Sequence, residues 1–318
     1  MSYVKKLVLA GAATLALSTA AKADGPAQCS SLPSNGALAT ALGNAVKNAH
    51  GVTGALDIGF NLNMWATVVA SDGTVCAVAY SGPGGAIQGQ WLASRVISAQ
   101  KANTANDLSL GVNNGPAPLK GEGFAISTAN LYSATQPGGS LYGLQHSNPV
   151  AATEAYGDKI LGEDGRWHGQ GADSKDYGTP NDPMVGLVIG GINVFGGGLG
   201  LYATGNNRLG GLGVSGDTSC MDHIVAWYLR QGLGLDHLGT KGQIQGFNSL
   251  YGQADSARPD NIIFDITPNI NGGTGVSATG YGHPVCYGAL TGLTGVNHVP
   301  LTNPQAQAIV NGLPAVSN

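Results

Sequence analysis

Charge is scarce in this chain. Asp, Glu, Lys and Arg supply 10% of the residues, and the net charge is −4. Nucleic acids and anionic membranes are held by basic patches, so this composition argues against both as partners. Long apolar runs are missing as well. Leu7 to Leu17 is too short to span a bilayer, and no later run is longer and as apolar. No cysteine pair has C-x-x-C spacing, which argues against a thiolate metal site. No C-x-x-C-H occurs, which excludes covalent c-type haem. The 52 glycines follow no strict period, so collagen-like structure is excluded. No internal repeat is visible.

What is present begins with a secretory signal over residues 1–23. Lys5 and Lys6 form its charged region, Leu7 to Leu17 its apolar core, and Ala21-Lys22-Ala23 its cleavage site. The expected mature chain starts near Asp24 and is periplasmic or secreted in a bacterium, with no membrane span. Four cysteines remain: Cys29, Cys76, Cys220 and Cys286. An even count in an exported chain favours two disulfides. Three connectivities are open, and Cys29–Cys76 with Cys220–Cys286 is the favoured one.

Alanine and leucine at helical spacing predict a helix over 35–48. Residues 62–70 and 74–80 read as strands joined by Ser71-Asp72-Gly73, a hairpin signal. Residues 86–108 read as a long helix packing through Trp91, Val96, Ile97, Ala102 and Ala105. A short helix is expected over 127–135 and a turn at Gln136-Pro137-Gly138-Gly139-Ser140. Residues 148–183 form a polar Gly/Asp-rich insertion of a length that is usually functional or mobile. Three strands follow (185–195, 198–203 and 208–214), then a helix over 218–233, a strand over 261–266 and a final helix near 303–313. Strands and helices do not alternate strictly. The expected fold is therefore α/β of the α+β kind, an antiparallel sheet with helices on its faces and long Gly-rich loops.

Several of these pieces together resemble one family. They are Ala99-Gln100-Lys101-Ala102-Asn103-Thr104-Ala105, Gln136-Pro137-Gly138-Gly139-Ser140, Gly190-Gly191, and Gly211-Leu212-Gly213-Val214-Ser215-Gly216 with Asp222 six residues on. In this order they are similar to the GlcG/HbpS family, which also occurs as the C-terminal domain of PduO-type proteins. The resemblance covers roughly residues 35–235. It implies a five-stranded antiparallel sheet in a profilin-like arrangement, homo-oligomers, and haem or a related tetrapyrrole as ligand. The chain departs from the family in its 148–183 insertion, its four cysteines and an extension over 238–318. The expected organisation is a GlcG/HbpS-like domain over 24–237, with 238–318 packed on the same domain. Gly282-His283-Pro284-Val285-Cys286 would supply a disulfide partner.

The strand that turns through glycines into the 218–233 helix is the candidate site. Helix-start N–H groups and the positive end of the helix dipole point at whatever binds there. Cofactor-binding candidates are His223, Asp222, Lys101, Gly213, Ser215 and Gly216. His223 is the candidate haem-iron ligand, with a neighbouring carboxylate to fix its tautomer. The competing reading makes it a capping or surface histidine. Asp222 also reads as a first-turn acid favoured by the dipole. Lys101 could pair with a haem propionate, or be structural. His168, beside Trp167, is a second haem-ligand candidate, while His50, His146, His237, His283 and His298 read as solvated. Tyr132 and Tyr142 read as packing residues.

Two formal motif matches fail in context. Gly211-x-Gly213-x-x-Gly216, with Asp236 beyond it, lacks the strand that a dinucleotide fold would place before Asp236. Gly213-Val214-Ser215-Gly216-Asp217 ends in Asp where a nucleophile elbow has glycine. The leading functional expectation is an exported haem- or tetrapyrrole-binding protein of the GlcG/HbpS type, for non-covalent sequestration or sensing. The alternatives are an enzyme on a small organic acid or aromatic compound, with Asp222 and His223 as an acid–base pair, or a structural, partner-binding module.

Overall fold

The computed structural model describes residues 26–53, 58–83, 89–112, 122–157, 160–161, 163, 167–168, 173–239, 244–252, 255–269, 271–273, 275–286 and 301–318. The main elements in chain order are α1 (Asn35–Thr53), β1 (Trp65–Ala70), β2 (Val75–Tyr80), α2 (Ala93–Leu108), β3 (Gly123–Ala125), α3 (Tyr132–Thr135) and α4 (Ala152–Tyr156). Short strands β4 (Ile160–Leu161) and β5 (Trp167–His168) precede β6 (Gly198–Ala203), β7 (Asn207–Ser215) and α5 (Ser219–Gly232). β8 (Ile244–Gly246), α6 (Phe247–Tyr251), β9 (Ile266–Thr267), β10 (Val276–Ser277) and α7 (Asn303–Asn311) complete the described chain.

The central sheet is antiparallel with strand order β2-β1-β7-β6. Its central strand β1 is buried along its whole length, because both faces are covered. Period-two alternation decides which side chain goes where. Ala66 and Val68 join the core made with α1 and α5, whereas Trp65 and Val69 join Val96, Ala99 and Ala102 of α2. Thr67, on the α2 side, shares a 2.7 Å hydrogen bond with Ser98.

α2 approaches β7 unusually closely, and the sequence explains why. A Cβ on Gly211 would lie 2.1 Å from the Ala102 carbonyl oxygen, and one on Gly213 would lie 1.9 Å from that of Ser98. The glycines of this strand therefore let helix backbone rest on strand backbone. Leu212 and Val214 alternate with them and fill the opposite core.

The structure departs from the sequence expectations in four places. The central sheet has four strands among the described residues, not five. Residues 185–195 form no strand: Gly186, Gly190 and Gly191 take positive φ of 88°, 62° and 87°, which breaks the extended run into single bridges. Residues 261–266 are buried but largely irregular, since side chains capture backbone groups there; Gln307 accepts from the Phe264 amide at 2.8 Å. α2 begins at Ala93, and Trp91, expected to pack, is 53% exposed. Part of the 86–108 prediction (residues 86–88) lies outside the described residues, as does His298.

The C-terminal residues complete the main core. Ala306, Val310, Leu313 and Val316 pack with Leu38, Leu42 and Trp227. Disulfides join Cys29 to Cys76 and Cys220 to Cys286, which fits an oxidising, extracellular location. Among the described residues no helix is long and apolar enough to cross a membrane. Gly213→Ala should lower stability by at least about 1–3 kcal/mol, as overpacked cores do, because neither backbone can yield locally. Urea denaturation of the variant checks this; an unchanged midpoint would contradict the close approach.

Candidate functional site

α2, the end of β7 and the first turn of α5 meet at Lys101 and Asp222. Lys101 is fully buried, and its ammonium donates to Asp222 Oδ2 at 2.6 Å and to the Val214 carbonyl at 3.0 Å. The other oxygen of Asp222 accepts the Asp217 amide at 2.9 Å. The Phe195 ring lies 5.1 Å from the ammonium and is itself 37% exposed. Burial pushes Lys101 down and Asp222 up to about 7, and each is opposed by its partner. The pair is read as ionised, since every polar contact around it matches ammonium and carboxylate.

Thr218 caps α5, accepting the Met221 amide. The neighbouring helix-start amides are also used internally. The Thr218 amide goes to Asp217, the Asp217 amide to Asp222, and the Cys220 amide to the Cys286 sulfur. Asp217 further accepts the amides of Phe60 and Leu62, at 2.8 and 3.0 Å. The turn before the helix is equally occupied: the Gly216 carbonyl accepts from the Gln90 side-chain amide at 2.8 Å, and Ser215 is buried.

His223 is fully buried one position further on. Its Nδ1 lies 3.3 Å from Ser127 Oγ and its Nε2 lies 3.2 Å from Asn261 Oδ1. Nε2 also meets the Ile262 amide at 3.3 Å, and that amide bonds Asn261 Oδ1 at 2.9 Å, so both ring nitrogens are engaged inside the protein. Burial holds the imidazole neutral, with its pKa lowered to about 4. Asp222 and His223 are sequence neighbours, yet the carboxylate turns to Lys101 and the imidazole to Asn261. The site thus brings Lys101 and Asp222 together, and gives His223 a separate set of partners.

Ser127, Asp217 and Asn261 complete these contacts and were not singled out from the sequence. The only local signal was Asp217, an acid just ahead of a helix. Two more buried ion pairs flank the layer. Arg95 grips Asp182 through Nε at 2.9 Å and through its terminal nitrogen at 2.5 Å, anchoring the 148–183 insertion to α2. Arg230 grips Asp260 at 2.6 and 2.9 Å.

An open cleft of about 450 Å³ lies elsewhere, between the Gln136–Ser140 turn and residues 275–281. Ser133, Gln136, Ser140, Thr279 and Tyr281 are among its lining residues. Tyr281 is stacked on Phe247, with centroids 3.7 Å apart. Gly138 sits at φ 86°, and among the described residues the amides of Gly138 and Ser140 have no protein acceptor. The Ser133 amide and hydroxyl both donate to the Gly282 carbonyl, which ties one wall to the other.

No family model matches the chain. No curated protein matches it either. Solved structures similar to it include Klebsiella pneumoniae protein ORFY, described under the family model DUF336, at 21% identity and TM-score 0.34. The similarity covers 62% of this chain and 88% of that one. A PduOC:heme complex is similar at 19% identity and TM-score 0.32, over 62% of this chain and 94% of that one.

Two outcomes follow from the buried charges. Lys101→Met should cost about 3–5 kcal/mol by leaving Asp222 unpaired, and Lys101→Met with Asp222→Leu should recover much of that loss. Equal losses in the single and double variants, by urea denaturation, would contradict the pairing. His223 is neutral when folded but has an ordinary value of 6.5 when unfolded. The unfolded chain then binds the extra proton, so stability falls as pH drops from 6.5 towards 4. Asp222 acts in the opposite sense over its own window, because its folded value is raised. His223→Gln should therefore remove about 1.4 kcal/mol per pH unit of acid sensitivity between those limits. A variant with the wild-type pH slope would contradict the assignment.

Proposed function

We propose that this chain is an exported, non-covalent ligand-binding protein of the GlcG/HbpS type, that a tetrapyrrole is its ligand class, and that the ligand sits in the cleft between residues 133–140 and 275–281. The observation that carries the reading is a contrast. Lys101, Asp222 and His223 have every polar atom engaged inside the protein, while the cleft opens on the Gln136–Ser140 turn, one of the segments on which the family resemblance rests.

The volume of the cleft lies within the ordinary range for small-molecule sites, about 300–1,000 Å³. Its groups fit a tetrapyrrole carrying acidic side chains. The Gly138 and Ser140 amides offer donors to carboxylates in the manner of a backbone nest. Tyr281 carries a phenol that would hold the iron of such a ligand. When bound, an iron tetrapyrrole supplies redox chemistry of its own; the chain's residues orient it and set its access to water. A second hollow of about 700 Å³, near Ala37, Thr40, Ala41 and Leu235, offers no aromatic or ligating side chain.

His223 does not fit an iron ligand as it stands, since both ring nitrogens are engaged and the side chain has no exposure. The same burial counts against Asp222 and His223 as an acid–base pair. The assignments of domain 24–237 with its 238–318 extension, and of a homo-oligomer, belong to this proposal and rest on the resemblance.

Visible absorption of the mature protein titrated with haemin is the test. A saturable Soret shift is expected, weakened in Tyr281→Phe, which removes the phenol that would hold the iron. His223→Ala, if folded by circular dichroism, should leave the spectrum unchanged. A flat titration, or a loss confined to His223→Ala, would overturn the reading.

A further inference from the structure

Near the N-terminus of α5 stands a group of side chains that the proposed function does not use. Cys220 Sγ, a ring nitrogen of His283 and Cys286 Sγ all lie within 4.8 Å of one another. The cysteines are joined, with their Cα atoms 6.0 Å apart. His283 is buried, and its Nδ1 lies 2.7 Å from the Pro284 carbonyl. A carbonyl only accepts, so Nδ1 carries the proton and Nε2 keeps its lone pair. Nδ1 also lies 4.0 Å from Cys220 Sγ, while Nε2 faces Ser219 Oγ at 3.1 Å, and that hydroxyl lies 3.4 Å from Cys286 Sγ. The Cys220 amide also donates to Cys286 Sγ, at 3.2 Å.

We propose that the Cys220–Cys286 disulfide is the closed form of a zinc site, and that its two-electron reduction opens a Cys2His centre made of Cys220, Cys286 and His283 Nε2. The reductant is a dithiol. Its two sulfurs form a new disulfide while Cys220 and Cys286 take up two electrons and two protons. Zn2+ then displaces both protons, and two thiolates with one neutral imidazole bind it. The assembly carries no net charge, which makes its burial tolerable.

Three features support the metal over a purely structural bridge. The ligand types are those of a three-residue zinc site with a fourth position left open. The second ring nitrogen of His283 donates to a backbone carbonyl, as zinc-bound histidines characteristically do. The Cys220 amide and the positive end of α5 favour a thiolate at Cys286. Sixty-six residues separate the two cysteines. Short-range motif spacing is therefore blind to the site.

The test uses the whole mature chain, oxidised and after reduction by a phosphine. The reduced protein should bind one Zn2+, release two protons, and with Co2+ develop thiolate charge-transfer and tetrahedral ligand-field absorption. The oxidised protein should show none of these. His283→Gln should weaken Zn2+ binding more than about 100-fold, beyond the effect of losing an outer contact. Cys220→Ser with Cys286→Ser should abolish it. A reduced, folded protein without the cobalt signature would overturn the proposal, as would an undiminished affinity in His283→Gln. If reduction unfolds the chain, Zn2+ should restore its far-ultraviolet circular dichroism; failure to do so would be equally decisive against it.

Discussion

Lys101 carries its ammonium into the interior, and the surrounding elements are disposed so that this charge is met. A buried cation is tolerable only when paired and fully hydrogen-bonded. Asp222 supplies the opposite charge from the first turn of α5, and the Val214 carbonyl supplies the second acceptor from the end of β7. Three elements distant in sequence are thereby fixed at one point. The reach of the lysine depends in turn on the glycines of β7, without which α2 could not lie on the strand backbone. Gly197 shows the same dependence from the β6 side: a Cβ there would come within 3.1 Å of the Lys101 nitrogen.

That arrangement divides the molecule into a sealed layer and an open edge. In the sealed layer the acids, bases and helix-start amides neutralise one another, which suits stability better than chemistry. At the open edge the 275–281 segment faces the Gln136–Ser140 turn, and the Ser133 bonds to Gly282 hold the two walls together. His283 follows directly on that wall and contacts Tyr132 through its ring, at 5.5 Å between centroids. The cleft and the disulfide region are therefore built from one continuous stretch of chain.

Much of the fold was legible in the sequence. Short apolar runs bounded by turns marked β1, β2, β6 and β7, helical spacing marked α1, and helices were expected where α5 and α7 stand. The apolar run at 185–195 misled because it resembles a strand until its glycines turn left-handed. The run at 261–266 misled because Asn261 and Gln307 take its backbone groups through side chains, a long-range effect that no local pattern displays. At the candidate site, Lys101, Asp222 and His223 were visible as unusual residues. The partners of His223 were not, since Ser127 and Asn261 lie 96 and 38 residues from it. The Arg95–Asp182 and Arg230–Asp260 pairs were hidden for the same reason, at separations of 87 and 30 residues.

The packing of the last residues has a consequence for the order of folding. Trp227 donates its indole N–H to the Pro314 carbonyl, the Val316 amide bonds to Ala257, and the Ser317 amide bonds to Asp236. Leu313 and Val316 sit in the same core as Leu38 and Leu42 of α1. The earliest helix thus waits for the latest residues before its apolar face is fully covered. Such a topology has high contact order, and loop closure must precede the contacts that reward it. A defect at Leu313 or Val316 is thereby felt at the first helix, on the opposite side of the sequence, as well as beside it.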